Sequence, residues 1–104
     1  MNLAAGLSAW VSDRNAKENL RPFDGVLERL ERIPIYEYNY KGQAAERVCR
    51  GPMAQDWHSE FQSDKDPLRI DTMDLDGVAL AAIKELSSQV RELRAEVERL
   101  KRGL

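Results

Sequence analysis

The chain has little of several residue types, and each shortage excludes a class of protein. Its 104 residues include one cysteine, Cys49, so no disulfide can form within the chain and nothing indicates an oxidising compartment. Cys49 and the only histidine, His58, fall short of a four-ligand zinc site, so we expect no metal and no cofactor. The formal net charge of −2, with both signs interspersed, argues against a nucleic-acid-binding module. Because no apolar run approaches the roughly 20 residues of a membrane helix, we expect no membrane as partner either.

The length of the chain allows one modest domain with an extension. Residues 1–11 are largely apolar but lack the basic start of a signal peptide, and we interpret them as the remnant of an upstream stalk. Residues 12–72 are predicted to form a small globular domain, and residues 73–104 a long C-terminal helix. A core this small usually gains stability from oligomerisation, so we expect the chain to associate.

The middle of the chain mixes helix and strand signals, which predicts an α+β fold. Residues 24–32 place their apolar side chains on one helical face, with Asp24 as the expected N-cap. Three tyrosines alternate along residues 35–41, which predicts a strand. A turn at residues 41–43 and a returning strand over 45–50 would complete a β-hairpin. We expect the tyrosines to pack on the sheet or at a subunit interface rather than to form a sugar-binding ladder.

A second short helix is expected after the hairpin, with Pro52 as its first residue, where a missing N–H costs little. Its apolar stripe has helical spacing and consists of Met53, Trp57 and Phe61. Residues 62–67 are predicted to be a loop, and residues 68–70 a short strand.

The final helix is predicted to start near Asp71 or Thr72, and it carries the clearest pattern in the chain, a heptad repeat. Its apolar residues follow one another in alternating steps of three and four residues, which predicts a left-handed coiled coil rather than an ordinary amphipathic helix. We call these residues the seam: Ile83, Val90, Val97 and Leu104 at position a, and Leu86, Leu93 and Leu100 at position d.

Charges beside the seam favour parallel helices. In a parallel bundle, position g of one helix meets position e of the next heptad in its neighbour, which pairs Glu96 with Lys101 and Gln89 with Arg94. An antiparallel pair would set Arg94 near Lys101 instead. β-branched residues at a with leucine at d favour a coiled coil of two helices. The seam is short, however, and the globular domain can override this preference, so the number of helices stays open between two and three.

Ser12 and Lys17 are the residues that indicate chemistry. A serine hydroxyl becomes a nucleophile when a base takes its proton, and a lysine amine is such a base only when it is neutral. Desolvation or nearby positive charge, for which Arg14 is a candidate, favours the neutral amine. Neither a helix nor a strand brings two side chains five positions apart together, so the chain has to turn between them. The alternative interpretation makes Ser12 a helix cap and Lys17 a solvated charge.

The surrounding residues resemble a known family. The segment 12–20, Ser-Asp-Arg-Asn-Ala-Lys-Glu-Asn-Leu, resembles the opening motif of the self-cleaving intramolecular chaperone domains at the C-termini of phage tailspikes, endosialidases and tail fibres. Residues 30–40, 51–56 and 81–86 are similar to later segments of the same family, although Asp56 stands where glutamate is usual.

The resemblance implies a function. It implies a catalytic Ser12–Lys17 pair that cuts the Val11–Ser12 bond once per chain, and a parallel homotrimer that aligns the upstream stalk of the same polypeptide before releasing itself. It implies assembly in the host cytoplasm, with the parent protein on the tail of the virion. A trimerisation cap that is never cleaved, and a coiled-coil adaptor or regulatory dimer, are the alternatives.

Overall fold

A computed structural model describes residues 9–62 and 65–104. In chain order, a 3₁₀ turn (Arg14–Ala16) is followed by helix α1 (Val26–Glu31), strand β1 (Ile35–Tyr38), strand β2 (Cys49–Pro52), helix α2 (Ala54–Glu60) and helix α3 (Thr72–Arg102). The two strands form an antiparallel sheet, so the predicted α+β fold with a hairpin and a long C-terminal helix is confirmed. None of the described helices is long and apolar enough to cross a membrane.

The hairpin is present, but β1 ends at Tyr38 instead of residue 41, and β2 begins at Cys49 instead of residue 45. Ile35 lies opposite Pro52, and Tyr38 opposite Cys49, so residues 39–48 form the connection. The expected turn exists, because the Gln43 N–H donates to the Tyr40 carbonyl at 3.0 Å around Gly42, whose φ is 87°. A second turn then follows, closed by the Arg47 N–H on the Ala44 carbonyl. The predicted return strand over 45–50 is therefore wrong for residues 45–48 and correct only for Cys49 and Arg50.

Helix α2 starts two residues later than predicted. Gly51 and Pro52 belong to β2, and Met53 is the extended N-cap residue, so Pro52 is not the first helical residue. Two of the three residues in the predicted apolar stripe, Trp57 and Phe61, are buried, and their ring centroids are 4.9 Å apart. The third, Met53, is partly buried.

The predicted strand over 68–70 is absent. Asp66 holds this segment in a turn, because its carboxylate accepts from the Leu68 N–H at 2.9 Å and its carbonyl accepts from the Arg69 N–H at 3.2 Å. Of the loop predicted for residues 62–67, Ser63 and Asp64 lie outside the described residues.

Helix α3 starts where the sequence predicts, with Asp71 as its N-cap accepting from the Met73 N–H at 2.8 Å. Its first half packs against the other elements, and we call this packed part of the chain, from α1 to Glu85, the head. The buried core of the head consists of Val26, Ile33, Trp57, Phe61, Val78 and Ala82. At about 1.5 Å per residue the 31-residue helix is roughly 46 Å long, so its second half extends beyond the head.

Helix α1 is capped by a side chain from α3 rather than by its own sequence. The predicted N-cap, Asp24, is wrong: the N-cap position is Gly25, in the left-handed region at φ 68°, and it makes no side-chain cap. Instead, the Glu85 carboxylate accepts from the Val26 N–H at 2.9 Å and the Leu27 N–H at 2.8 Å. A carboxylate at this end of a helix satisfies free N–H groups and complements the helix dipole.

Candidate functional site

Ser12 and Lys17 are in direct contact. The Nζ atom of Lys17 lies 2.7 Å from the Oγ atom of Ser12. This distance falls within the range that proton transfer between a nucleophile and a base requires. The spacing of five residues is therefore bridged in the folded chain, as the catalytic interpretation requires.

A short 3₁₀ turn brings the two side chains together. The Asp13 carboxylate accepts from the Asn15 N–H at 2.9 Å, and the Asp13 carbonyl accepts from the Ala16 N–H at 3.0 Å. The Lys17 N–H then donates to the Arg14 carbonyl at 3.2 Å. Ser12 and Lys17 thus lie just outside the two ends of one tight turn, which the residue types Asp13 and Asn15 favour.

The contact by itself does not define which of the two groups carries the shared proton. A protonated lysine amine donates to the serine oxygen, whereas general-base catalysis requires a neutral amine that accepts the hydroxyl proton. Both side chains are exposed, so water competes for them in the isolated chain. Arg14 lies within the same turn, and its predicted influence on the charge of Lys17 stays a prediction.

The bond that the resemblance marks for cleavage is accessible. Val11 is half exposed and Trp10 precedes it on the surface. The predicted stalk remnant, residues 1–11, lies outside the described residues except for its last three positions. In the described ranges, 9–62 and 65–104, no group of three or more metal-ligating side chains is present.

The seam forms an uncovered apolar stripe along α3 from Ile83 to Leu100, and its last predicted member, Leu104, lies beyond the end of the helix at Arg102. Every seam residue is exposed in the single chain, from 40% for Val90 upwards. Beside it, Arg99 forms an ion pair with Glu96 within the same chain, and Lys101 lies 3.9 Å from Glu98. The interchain pair of Glu96 with Lys101 expected from the heptad would have to share or replace these local partners. Such exposed pairs contribute under about 1 kcal/mol each, so exchanging one partner for another changes the free energy little.

His58 has a structural role in the head. Its Nε2 atom lies 2.7 Å from the carbonyl oxygen of Arg69, which ties α2 to the chain just before α3. Its Nδ1 atom is buried without a partner among the described residues. This contact places the ring on the segment that leads into α3 and assigns it no part in the chemistry.

Glu85 is a helix-capping residue that the sequence does not predict. Hydrogen bonds from the backbone N–H groups of Val26, Leu27 and Gly25, in that order of effect, lower the pKa of Glu85 below its ordinary value of 4.5. In the heptad it occupies position c, where a charged residue is ordinary, so nothing in the local sequence marks it. Glu85 contacts the N–H groups of Leu27 and Val26, which precede it in the sequence by 58 and 59 positions. A local sequence pattern cannot predict contacts over such a separation.

Comparison with known protein families finds a match that includes the candidate site. The profile of the family described as chaperone of endosialidase matches residues 12–64, about half of the chain. The chain belongs to this family. No curated protein sequence matches the chain significantly.

Family membership assigns the chain an intramolecular chaperone role. The family also carries the name of a peptidase family, which indicates autoprocessing of the peptidase type. The matched region begins at Ser12 and includes Lys17, whereas α3 follows it.

Proposed function

We propose that this domain joins three copies of a phage fibre or tailspike polypeptide through a parallel coiled coil of α3, and then releases itself by cutting the Val11–Ser12 bond. The single observation that carries the cleavage half of this proposal is the 2.7 Å contact between Lys17 and Ser12. Membership of the chaperone of endosialidase family supports the assembly half.

The proposed cleavage takes two steps. Neutral Lys17 accepts the Ser12 hydroxyl proton while Oγ attacks the carbonyl carbon of Val11. The C–N bond breaks, the new Ser12 amine takes a proton, and the acyl group is left as an ester on Oγ. Water then hydrolyses the ester, which leaves a carboxylate on Val11 and a free hydroxyl on Ser12. Because each chain cuts itself, the reaction occurs once and has no diffusible substrate.

Assembly provides what the isolated site lacks. General-base catalysis requires a desolvated, neutral amine, and the tetrahedral intermediate requires hydrogen-bond donors for its oxyanion. We place both contributions in the upstream stalk, packed against the 3₁₀ turn once three chains are aligned. Cleavage then follows correct assembly and reports it.

The coiled coil solves a folding problem of long fibres. Strands from three chains have to pair in register, and such non-local pairing is slow and prone to aggregation. Joining the chains at one end raises their effective concentration and fixes their alignment. Assembly would take place in the host cytoplasm, after which the fibre stays on the virion tail and the domain is released.

The test uses the full polypeptide that carries this domain behind its stalk. The wild type should yield a fragment whose N-terminal sequencing begins at Ser12, and Ser12→Ala and Lys17→Gln should each leave the polypeptide whole. Ser59→Ala and Lys41→Gln make the same two chemical changes at exposed positions outside the site and should be cut like the wild type. Cleavage before residue 12 in Ser12→Ala would show that another nucleophile acts.

A second candidate is a trimerisation cap that stays attached. The observation that favours it is the exposure of both Ser12 and Lys17 in the single chain. An uncut wild-type polypeptide, assembled as a trimer, would establish this second function. A stable dimer would instead favour an adaptor or regulatory role.

A further inference from the structure

The head carries an open apolar groove of about 750 Å³ beside α3. Its apolar wall includes Tyr38, Met53, Leu68, Ile70 and Leu75. Leu68 is 71% exposed, so much of this surface faces solvent in the single chain. Leu75 is the only one of these five residues that belongs to α3, and it relates the groove to the coiled coil.

The heptad of the seam can be followed back into the head, because α3 runs unbroken from Thr72 to Arg102. In the register that puts Ile83 at a, Ala79 occupies d, Leu75 occupies g and Leu80 occupies e. Leu80 is 65% exposed, although its helix is packed on the head through Val78 and Ala82. It therefore lies outside both the core and the seam.

The same g-to-e rule that pairs Glu96 with Lys101 of a neighbour also pairs Leu75 with Leu80 of that neighbour, since both pairs are five residues apart. On one helix these two positions are about 140° apart, on opposite flanks of the seam. Each copy thus presents a groove on one flank and an exposed leucine on the other. Such a head-to-tail contact closes into a ring when the copies are related by rotation.

Asp76 limits how the helices meet at this level. It falls at position a, where three carboxylates would face one another near the axis and stay hydrated. Ala79 at the next axial position is small and adds little apolar contact. The contact between copies here therefore lies on the flanks of the helices rather than at their axis.

We infer that Leu80 of each copy docks into the groove beside Leu75 of a second copy of this chain, so that the heads as well as the helices form the interface. This inference rests on the parallel coiled coil of the proposed function. The occupant is a second copy because the groove lies beside Leu75, in the heptad register of the seam, and the repeat brings Leu80 of a parallel neighbour to the same level.

Crosslinking between two kinds of chain tests this contact. In a Cys49→Ser background, Leu75→Cys chains are refolded together with Leu80→Cys chains and treated with a short bismaleimide. Mixing two single variants prevents a link within one chain. We expect a covalent dimer containing one chain of each kind, in clear excess over either variant alone. A mixture of Glu96→Cys and Lys101→Cys chains, with the same spacing, reports on the coil by itself.

The two mixtures separate the possible failures. If the Glu96/Lys101 mixture crosslinks and the Leu75/Leu80 mixture does not, the docking of the heads is wrong and the coil stands. If neither mixture crosslinks, the parallel coil is wrong and the docking falls with it. Crosslinking of both mixtures supports the inference.

An equilibrium measurement provides an independent check. Leu80→Gln should weaken association by about tenfold or more, because a leucine that passes from exposed to buried contributes more than one factor of ten. The melting of the head at high dilution should stay unchanged, since the side chain is exposed in the single chain. Arg91→Gln, at position b on the outer face of the helix and exposed in the single chain, is the control and should leave the association constant unchanged. Equal association constants for wild type and Leu80→Gln would overturn the inference.

Discussion

Shortening Val78 or Val97 to alanine removes the same two methyl groups from the same helix but should affect two different processes. Val78 is 5% exposed and packs in the core of the head, whereas Val97 is 47% exposed and belongs to the seam. At about 0.8 kcal/mol per buried methylene-sized group, plus a term for the cavity left behind, Val78→Ala loses roughly 2–3 kcal/mol. The better helix propensity of alanine returns about half a kcal/mol in both variants.

The two variants should differ in how their melting temperatures depend on protein concentration. A net loss of about 2 kcal/mol lowers the melting temperature of a domain this size by roughly 8–16 °C, and for Val78→Ala this shift should appear at every concentration. Val97→Ala should melt like the wild type when dilute, because the side chain is already solvated there. It should melt earlier only at concentrations where the wild type is assembled.

Thermal melts followed by near-ultraviolet circular dichroism report on the buried Trp57, and sedimentation equilibrium gives the mass at each concentration. The assignment of the two faces of α3 would be refuted by a Val97→Ala variant that melts early in its monomeric form. It would equally be refuted if Val78→Ala melted within a few degrees of the wild type at all concentrations.

Two further predictions concern the capping of α1. The backbone N–H groups of Val26 first and Leu27 second lower the pKa of Glu85 in the folded chain. The ionised carboxylate therefore stabilises the folded head fully above the pKa of the unfolded chain, near 4.5, and this stabilisation is lost as the pH falls through the lower pKa of the folded chain. The melting temperature should therefore drop more steeply below pH 4.5 in the wild type than in Glu85→Gln, and parallel pH profiles would contradict the cap. Gly25→Ala should destabilise the head by about 1–2 kcal/mol in urea unfolding because its φ is +68°. Gly77→Ala inside α3 has equally open space around it and should instead stabilise by up to about 1 kcal/mol, so a shift of the same sign in both would count against the backbone argument.

Periodicity along the sequence predicts those parts of the fold whose signal is local. The long helix α3, its N-cap Asp71 and the burial of Trp57 and Phe61 all follow from spacing and capping residues within a few turns. The strand bounds do not, because the second turn before β2 shifts the pairing and brings Pro52 into the sheet. Short strands are defined by their partners, and one extra turn in the connection changes which residues pair.

The candidate site shows the same division. Asp13 and Asn15 are turn formers, so the sequence predicts the turn, and the structure contains it. The catalytic role of the Ser12–Lys17 pair depends on what covers the turn after assembly, which no local pattern encodes, and it stays a prediction. The cap on α1 was beyond prediction for a related reason, since Glu85 reaches it from 59 residues away.

Under the proposed coiled coil, the position of Glu85 connects the folding of the head to the association of the helices. It binds α1 at a point on α3 directly before the seam residue Leu86, so one stretch of helix serves both the cap and the coil. A helix whose apolar stripe is uncovered gains stability mainly by packing, and a head with so small a buried core has little stability to spare. Association that fixes the helix over residues 83–104 therefore also fixes the carboxylate that caps α1. Conversely, a folded head holds the first turns of the coil in helical form before a partner arrives. Under the proposed trimer, the heads of unassembled chains are consequently less stable than those of assembled chains.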